Sequence, residues 1–219
     1  MFLELIVVEF SEKTDWDDYY DHVPWTAHVT RRITTSVLID LIHRHQPARQ
    51  PVIVEPGGAN SCFYQSFTSK FSPSKYYLFD LNAKGLKKFS DQNQDGRAHC
   101  VLGDILNDVG ALKGEADLVF SVGLIEHFDK ADTRRAVARH FEIAKPGALV
   151  LVTFPTPVFV YRVIRGALEV TKTWKFPDER PLRFDEVRDA IAPHGEILEE
   201  LTNRAIGLAQ GIIIARKHR

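Results

Sequence analysis

The residues Pro51 to Ser61, PVIVEPGGANS, restrict what this chain can fold into more than any other stretch. Val52, Ile53 and Val54 are a β-branched run suited to a strand buried on both faces. Glu55 puts a fixed negative charge at the carboxyl end of that strand. Gly57 and Gly58 then break it, because they tolerate positive φ and carry no Cβ to keep a ligand off the backbone. Asn60 or Ser61 can cap the helix that Cys62 to Phe67 starts, leaving its first N–H groups facing the loop. Strand, glycine loop and helix open a nucleotide-binding α/β unit. Glu55 would repel a triphosphate and attract a ligand carrying an ammonium or sulfonium group.

The rest of the chain supplies neighbours for that strand. Phe2 to Phe10 reads as a strand or a disordered start, and Thr14 to Asp21, acidic and aromatic together, as a short capped helix. Val29, Ile33, Val37, Leu38, Leu41 and Ile42 recur at helical spacing within one amphipathic helix from Trp25 to His45. Pro47 and Pro51 end it. Further strands are expected at Lys75 to Asp80, Ala98 to Leu102, Ala116 to Ser121 and Ala148 to Phe154. Helices are expected at Ala83 to Phe89 and Ala131 to Ala144, with a tight turn at Lys145-Pro146-Gly147. A helix over Pro157 to Val170, another over Pro181 to Ile191, and strands at Glu196 to Leu201 and Ile206 to Ala215 complete the pattern. This predicts an α/β, Rossmann-like, seven-stranded sheet with helices on both faces: five parallel strands plus a C-terminal antiparallel hairpin.

Four polar turns fall at the carboxyl ends of successive strands, where an open α/β sheet binds its ligand. They are Glu55 to Ser61, Asp80-Leu81, Gly103-Asp104-Ile105 and Ser121 to His127. Together they resemble the class I S-adenosylmethionine-dependent methyltransferases, particularly the small-molecule branch, over roughly Val52 to Phe154. The family's E/D-x-G-x-G-x-G motif corresponds to Glu55-Pro56-Gly57-Gly58-Ala59-Asn60-Ser61, with Ala59 and Ser61 standing where the second and third glycines would be. The resemblance implies that Glu55, Gly57, Gly58 and Asn60 hold the cofactor, and that Asp80, beside Leu81, accepts from its ribose hydroxyls. It implies that Asp104 accepts from the adenine amino group, with Ile105 packed on the ring. The backbone of Ser121, Val122 and Gly123 would line the methionine part. Ala144 to Ala148 resembles a structural K-P-G-G turn. The implied cofactor is S-adenosyl-L-methionine, leaving as S-adenosyl-L-homocysteine.

Methyl transfer needs alignment, a dry site and, for some acceptors, a base. His127, with a reference pKa near neutrality, is the candidate catalytic base or orienting group. The acceptor is expected to be a small molecule, amphipathic or anionic, held by Tyr20 and Trp25 of an N-terminal lid and by Arg162 and Arg165 of the 155–180 insertion. The expected organisation is one domain over 1–219: lid segment 1–46, cofactor core 51–154, insertion 155–180, and C-terminal helix and hairpin 181–219.

With 219 residues and 44% hydrophobic content, the chain can bury one α/β domain. A net charge of −1 leaves no basic excess for nucleic acid. Cys62 and Cys100 lack metal spacing, no metal site is expected, and both read as reduced, buried small residues. Met1 to Phe10 lacks a positive n-region and a cleavage site, and no run reaches the roughly 18 apolar residues of a membrane span. A cytoplasmic protein is expected, with peripheral membrane contact and oligomeric state left open. Two other classes compete. Gly57-x-Ala59-x-x-Cys62 could serve an NAD-dependent oxidoreductase, which would bind NADH, and the departures at Ala59 and Ser61 would suit an inactive cofactor-binding module.

Overall fold

The computed structural model describes residues 13–22, 25–93, 95–205 and 209–219, without the side chains of 25–28. The strand or disordered start expected at Phe2 to Phe10 lies outside these residues, as does the start of the strand expected from Ile206.

The strands are β1 (Val52–Pro56), β2 (Lys75–Asp80), β3 (Ala98–Leu102), β4 (Ala116–Val122), β5 (Ala144–Pro155), β6 (Gly195–Asn203) and β7 (Gln210–Lys217). They form one sheet in the order β3-β2-β1-β4-β5-β7-β6. The first five run parallel, while β7 pairs antiparallel with both β5 and β6. This is the expected Rossmann-like sheet with its C-terminal hairpin. The order reverses between β1 and β4, which opens a crevice beyond their carboxyl ends.

Side chains alternate across the strands and divide the core in two. Ile53, Leu118, Phe120, Leu149, Leu151, Ile212 and Ile214 pack with α2 (Trp25–Arg44), α3 (Tyr64–Phe71) and α4 (Ala83–Gln92). Val54, Val119, Val150, Val152, Ile213 and Ala215 pack with α5 (Lys130–Ile143) and α7 (Phe184–Ile191). Burial of both faces explains why the central strands read as continuous apolar runs. Two short elements complete the fold: α1 (Trp16–Asp21), capped by Asp15, and α6 (Phe159–Val170).

Several boundaries differ from expectation. On α2 the buried stripe runs through Leu38, Leu41 and Ile42, while Val29 is half exposed. β5 begins at Ala144, pairs with Ala116, then loops out over 145–147 before Leu149 pairs with Leu118; Gly147 has φ +77°. The proline and glycine therefore form a bulge inside the strand rather than a turn before it. Cys62 and Cys100 are free and exposed rather than buried. Cys100 lies on sheet-edge β3, and Cys62 opens onto the cleft beyond the glycine loop. Among the described residues no helix is long and apolar enough to cross a membrane.

Candidate functional site

A cleft of about 730 Å³ lies at the carboxyl ends of β1, β2, β3 and β4. That suffices for a cofactor-sized ligand with a small acceptor beside it. Among the expected site residues, Glu55, Gly57, Asn60, Asp80, Leu81, Asp104, Ile105, Val122, Gly123, His127 and Tyr20 line it.

The glycine loop is built by hydrogen bonds to its neighbours. Gly57, at φ +71°, donates from its N–H to the Phe79 carbonyl at 2.9 Å. A Cβ on Gly58 would sit 2.8 Å from the Glu55 carbonyl oxygen, so only glycine fits. Asn60 takes φ +56°, a conformation asparagine tolerates. It does not cap the next helix: α3 starts at Tyr64 with no side-chain cap, and Ser61 Oγ accepts from the Phe63 N–H at 3.1 Å. The same hydroxyl donates to Glu55 Oε2 at 2.7 Å, and Tyr76 OH donates to that oxygen at 2.5 Å. Glu55 is therefore not the fixed charge expected from the sequence. Burial pushes its carboxyl up to about 7, against the pull of the Tyr76 and Ser61 bonds.

Asp80 reaches back to the loop, its carboxylate accepting from the Ala59 N–H at 3.0 Å and the Asn82 N–H at 2.8 Å. Burial raises its pKa, and the backbone bonds oppose that rise. Asp104 accepts from the Leu106 N–H at 2.9 Å, and Ile105 is buried beside it. Gly103 is needed because a Cβ there would lie 2.4 Å from the Phe79 ring. Ser121 and Gly58 do not line the cleft. Ser121 points into the core, where its Oγ lies 2.9 Å from Nε2 of the fully buried His140.

The other half of the cleft is acidic and aromatic. Ile125 to His127 form a 3₁₀ turn after β4, which buries Glu126 and turns His127 into the cleft. His127 Nδ1 lies 2.9 Å from Asp178 Oδ1, and Thr14 Oγ1 donates to the same oxygen. Nδ1–H is thus the donor, leaving Nε2 available. Burial works against an imidazolium, but the Asp178 bond and the fields of Glu126 and Glu179 outweigh it and raise the His127 pKa. Asp178 is held down at about 2: burial opposes its charge, and the bonds from His127 and Thr14 overcome it. Burial pushes Glu126 up to about 7, and among the described residues its Oε2 has no hydrogen-bond partner. Glu179 accepts from Tyr161 OH at 2.5 Å. Trp16 packs edge-on against His127 at 4.9 Å, and Tyr19 packs on Phe176 at 5.1 Å.

The expected acceptor residues divide. Tyr20 lines the cleft, whereas Trp25 begins α2 and its side chain lies outside the described residues. Arg162 is exposed and does not line the cleft. Arg165 is also absent from its walls, engaged by Glu169 at 2.7 Å, Tyr161 OH and the Glu179 carbonyl. Asp178 and Glu179 are the residues that sequence reasoning passed over. Their signal was two acids directly after the aromatic and basic run ending at Phe176.

Residues 54–152 match the family model described as a methyltransferase domain. No curated protein is similar to the chain in sequence. Three solved structures illustrate the likeness in fold. Magnesium protoporphyrin IX methyltransferase from Synechocystis PCC 6803, with bound SAH, is 10% identical with a TM-score of 0.71, over 92% of each chain. The 1,6-didemethyltoxoflavin-N1-methyltransferase of Burkholderia thailandensis, with its substrate and S-adenosylhomocysteine bound, is 15% identical with a TM-score of 0.68, over 93% of this chain and 85% of that one. The N-methyltransferase NodS of Bradyrhizobium japonicum WM9 is 12% identical with a TM-score of 0.63, over 90% of this chain and 92% of that one.

Proposed function

We propose that this chain, whose residues 54–152 match a methyltransferase domain, is a class I S-adenosylmethionine-dependent methyltransferase that moves a methyl group to a small-molecule acceptor. One observation carries the reading: the matched span holds the strands β1 to β4 whose carboxyl ends build the cleft. The lining fits S-adenosylmethionine. Gly57 and Gly58 leave a cradle that a Cβ would fill or distort, Glu55 and Asp80 supply carboxylates, and no lysine stands in the loop to receive a phosphate.

When bound, the cofactor supplies an electrophilic methyl group on a sulfonium, and in-line displacement leaves S-adenosylhomocysteine. The chain's own residues do the rest. Glu55 and the Gly57 to Asn60 backbone hold the amino-acid half, Asp80 the ribose and Asp104 with Ile105 the adenine, while Val122 and Gly123 close the wall. α1 and residues 174–179 cover the acceptor side and exclude water, so 1–46 serves as a lid segment and 155–180 as an acceptor-side insertion. His127 is the base: Asp178 fixes its tautomer, and Nε2 takes a proton from the acceptor.

Calorimetric titration with S-adenosylhomocysteine and separately with NADH tests the reading. Saturable binding of the first at one site is expected. Binding of NADH without S-adenosylhomocysteine binding would make the chain a dehydrogenase and overturn it.

A further inference from the structure

Glu126, His127 and Glu179 each offer a ligand atom, and the three atoms lie within 4.8 Å of one another. Glu126 is only 2% exposed, yet among the described residues its Oε2 has no hydrogen-bond partner. In its neutral form His127 keeps its proton on Nδ1, donated to Asp178, which leaves Nε2 as an acceptor. Glu179 has one oxygen engaged by Tyr161 and the other open. With His127 neutral, three acceptors thus converge on the acceptor half of the cleft, and among the described residues no hydrogen-bond donor is paired with the free oxygen of Glu126. A buried carboxylate oxygen left without a partner is unfavourable, so the pattern calls for a cation that donates.

We infer that the acceptor is an amine, entering as an ammonium seated on Glu126, His127 and Glu179; this rests on the methyltransferase reading above. An ammonium donating three tetrahedral N–H bonds of about 2.8 Å holds its acceptors about 4.6 Å apart, a spacing the cluster accommodates. The aromatic wall suits the same guest. Trp16 and Phe176 pack against His127, Tyr19 packs on Phe176, and the faces of such rings attract a desolvated cation. Lys13 and Arg31 also line the cleft, but Arg31 donates to Tyr19 OH, and among the described residues neither pairs with Glu126 or Glu179. The arginines expected to receive an anion, Arg162 and Arg165, lie off the cleft.

Ammonium has no lone pair, so it must lose a proton before it can act as a nucleophile. The N–H bond breaks towards His127 Nε2, the nitrogen keeps the electron pair, and the imidazolium is held by Asp178. Glu126 and Glu179 position the nitrogen, and their carboxylates balance the charge that arrives with it.

The test uses the full chain saturated with S-adenosylhomocysteine. A panel of aryl-alkyl amines is titrated beside the alcohol and the carboxylate of each skeleton, phenethylamine, 2-phenylethanol and 3-phenylpropionate among them. Amines are expected to bind at least tenfold tighter than their partners. Glu126→Gln and Glu179→Gln should each remove that preference while S-adenosylhomocysteine still binds. Equal or tighter binding of alcohols or carboxylates overturns the inference, as does failure of every amine. So does stoichiometric Mn²⁺ binding abolished by both variants, which would make the cluster a metal site. Loss of S-adenosylhomocysteine binding by the unmodified chain would instead sink the methyltransferase reading, so the two failures are distinguishable.

Discussion

Ala59 and Ser61 stand where a glycine-rich loop would carry glycines, and each has a local answer. Ser61 turns its side chain to use, bridging the Glu55 carboxyl and the Phe63 N–H. Ala59 is buried, and room for its methyl comes from Gly85 on α4, where a Cβ would lie 2.7 Å from Ala59 Cβ and 2.9 Å from the Tyr20 ring. The missing side chain has in effect moved from the loop to the helix beside it. Gly85→Ala should therefore destabilise the protein by about 1–2 kcal/mol, the overpacking strain exceeding the helix-propensity gain. It should also weaken S-adenosylhomocysteine binding severalfold. Adding Ala59→Gly should restore most of both losses, a coupling that a double-mutant cycle read by urea melts and calorimetry would expose. Additive effects would show that the two positions do not share one space.

At the scale of elements, α1 is a strap across the mouth of the cleft. Its Asp17 accepts from Asn82 at 2.8 Å, Asp21 pairs with Lys84 at 2.6 Å and also with Lys88, and Asp18 pairs with Lys175 at 2.8 Å. One side is thus tied to the start of α4 and the other to the loop after α6. These pairs are largely exposed, so each is weak and is screened by salt. The rings of Trp16, Tyr19, Tyr20 and Phe176 beneath them are not screened. Raising salt from about 0.05 M to about 0.5 M should lower hydrogen-exchange protection of residues 16–21 by up to about tenfold, with the central strands unchanged. Lys84→Gln with Lys175→Gln should reproduce this at low salt. Protection indifferent to both would mean that the aromatic contacts alone hold the strap.

For the whole molecule, the buried Ser121–His140 pair ties stability to pH. His140 Nδ1–H donates to the Ala136 carbonyl and Nε2 accepts from Ser121, so the ring is locked neutral, and burial depresses its pKa to about 4. The unfolded chain takes up that proton near its ordinary 6.5. The contribution is therefore complete above about 6.5 and is lost as pH falls through the folded value, amounting to about 3 kcal/mol at full loss. Glu55 and Glu126, raised to about 7, act in the opposite sense: their contribution is present at low pH and fades as pH rises through 7. The comparison must accordingly be made against Ser121→Ala/His140→Leu. That variant should gain on the parent steadily from pH 6.5 to pH 4 in thermal melts; parallel curves would show that His140 does not titrate as argued. This pair also marks where sequence reading reached its limit. Strand-end acids such as Glu55 and Asp80 were legible because parallel strands must finish at one edge of the sheet. Ser121 was not, because one step along a strand exchanges core for cleft. Arg162 and Arg165 were not, because α6 has a marked apolar face that is left mostly exposed: Tyr161 is buried, while Phe159, Val160, Val163 and Val170 are exposed. The phase of such a helix does not report which side meets the rest of the molecule. The sheet order has a consequence during synthesis. β7 fills the gap between β5 and β6, yet its residues, Gln210–Lys217, are made after every other strand. While the chain is still emerging, β5 presents an open edge to its surroundings and β6 has nothing to pair with. Most of the cleft's wall, at the ends of β1 to β4, lies on the earlier-made side of that gap, so it can assemble before β7 closes the sheet and adds Gln210 to the lining.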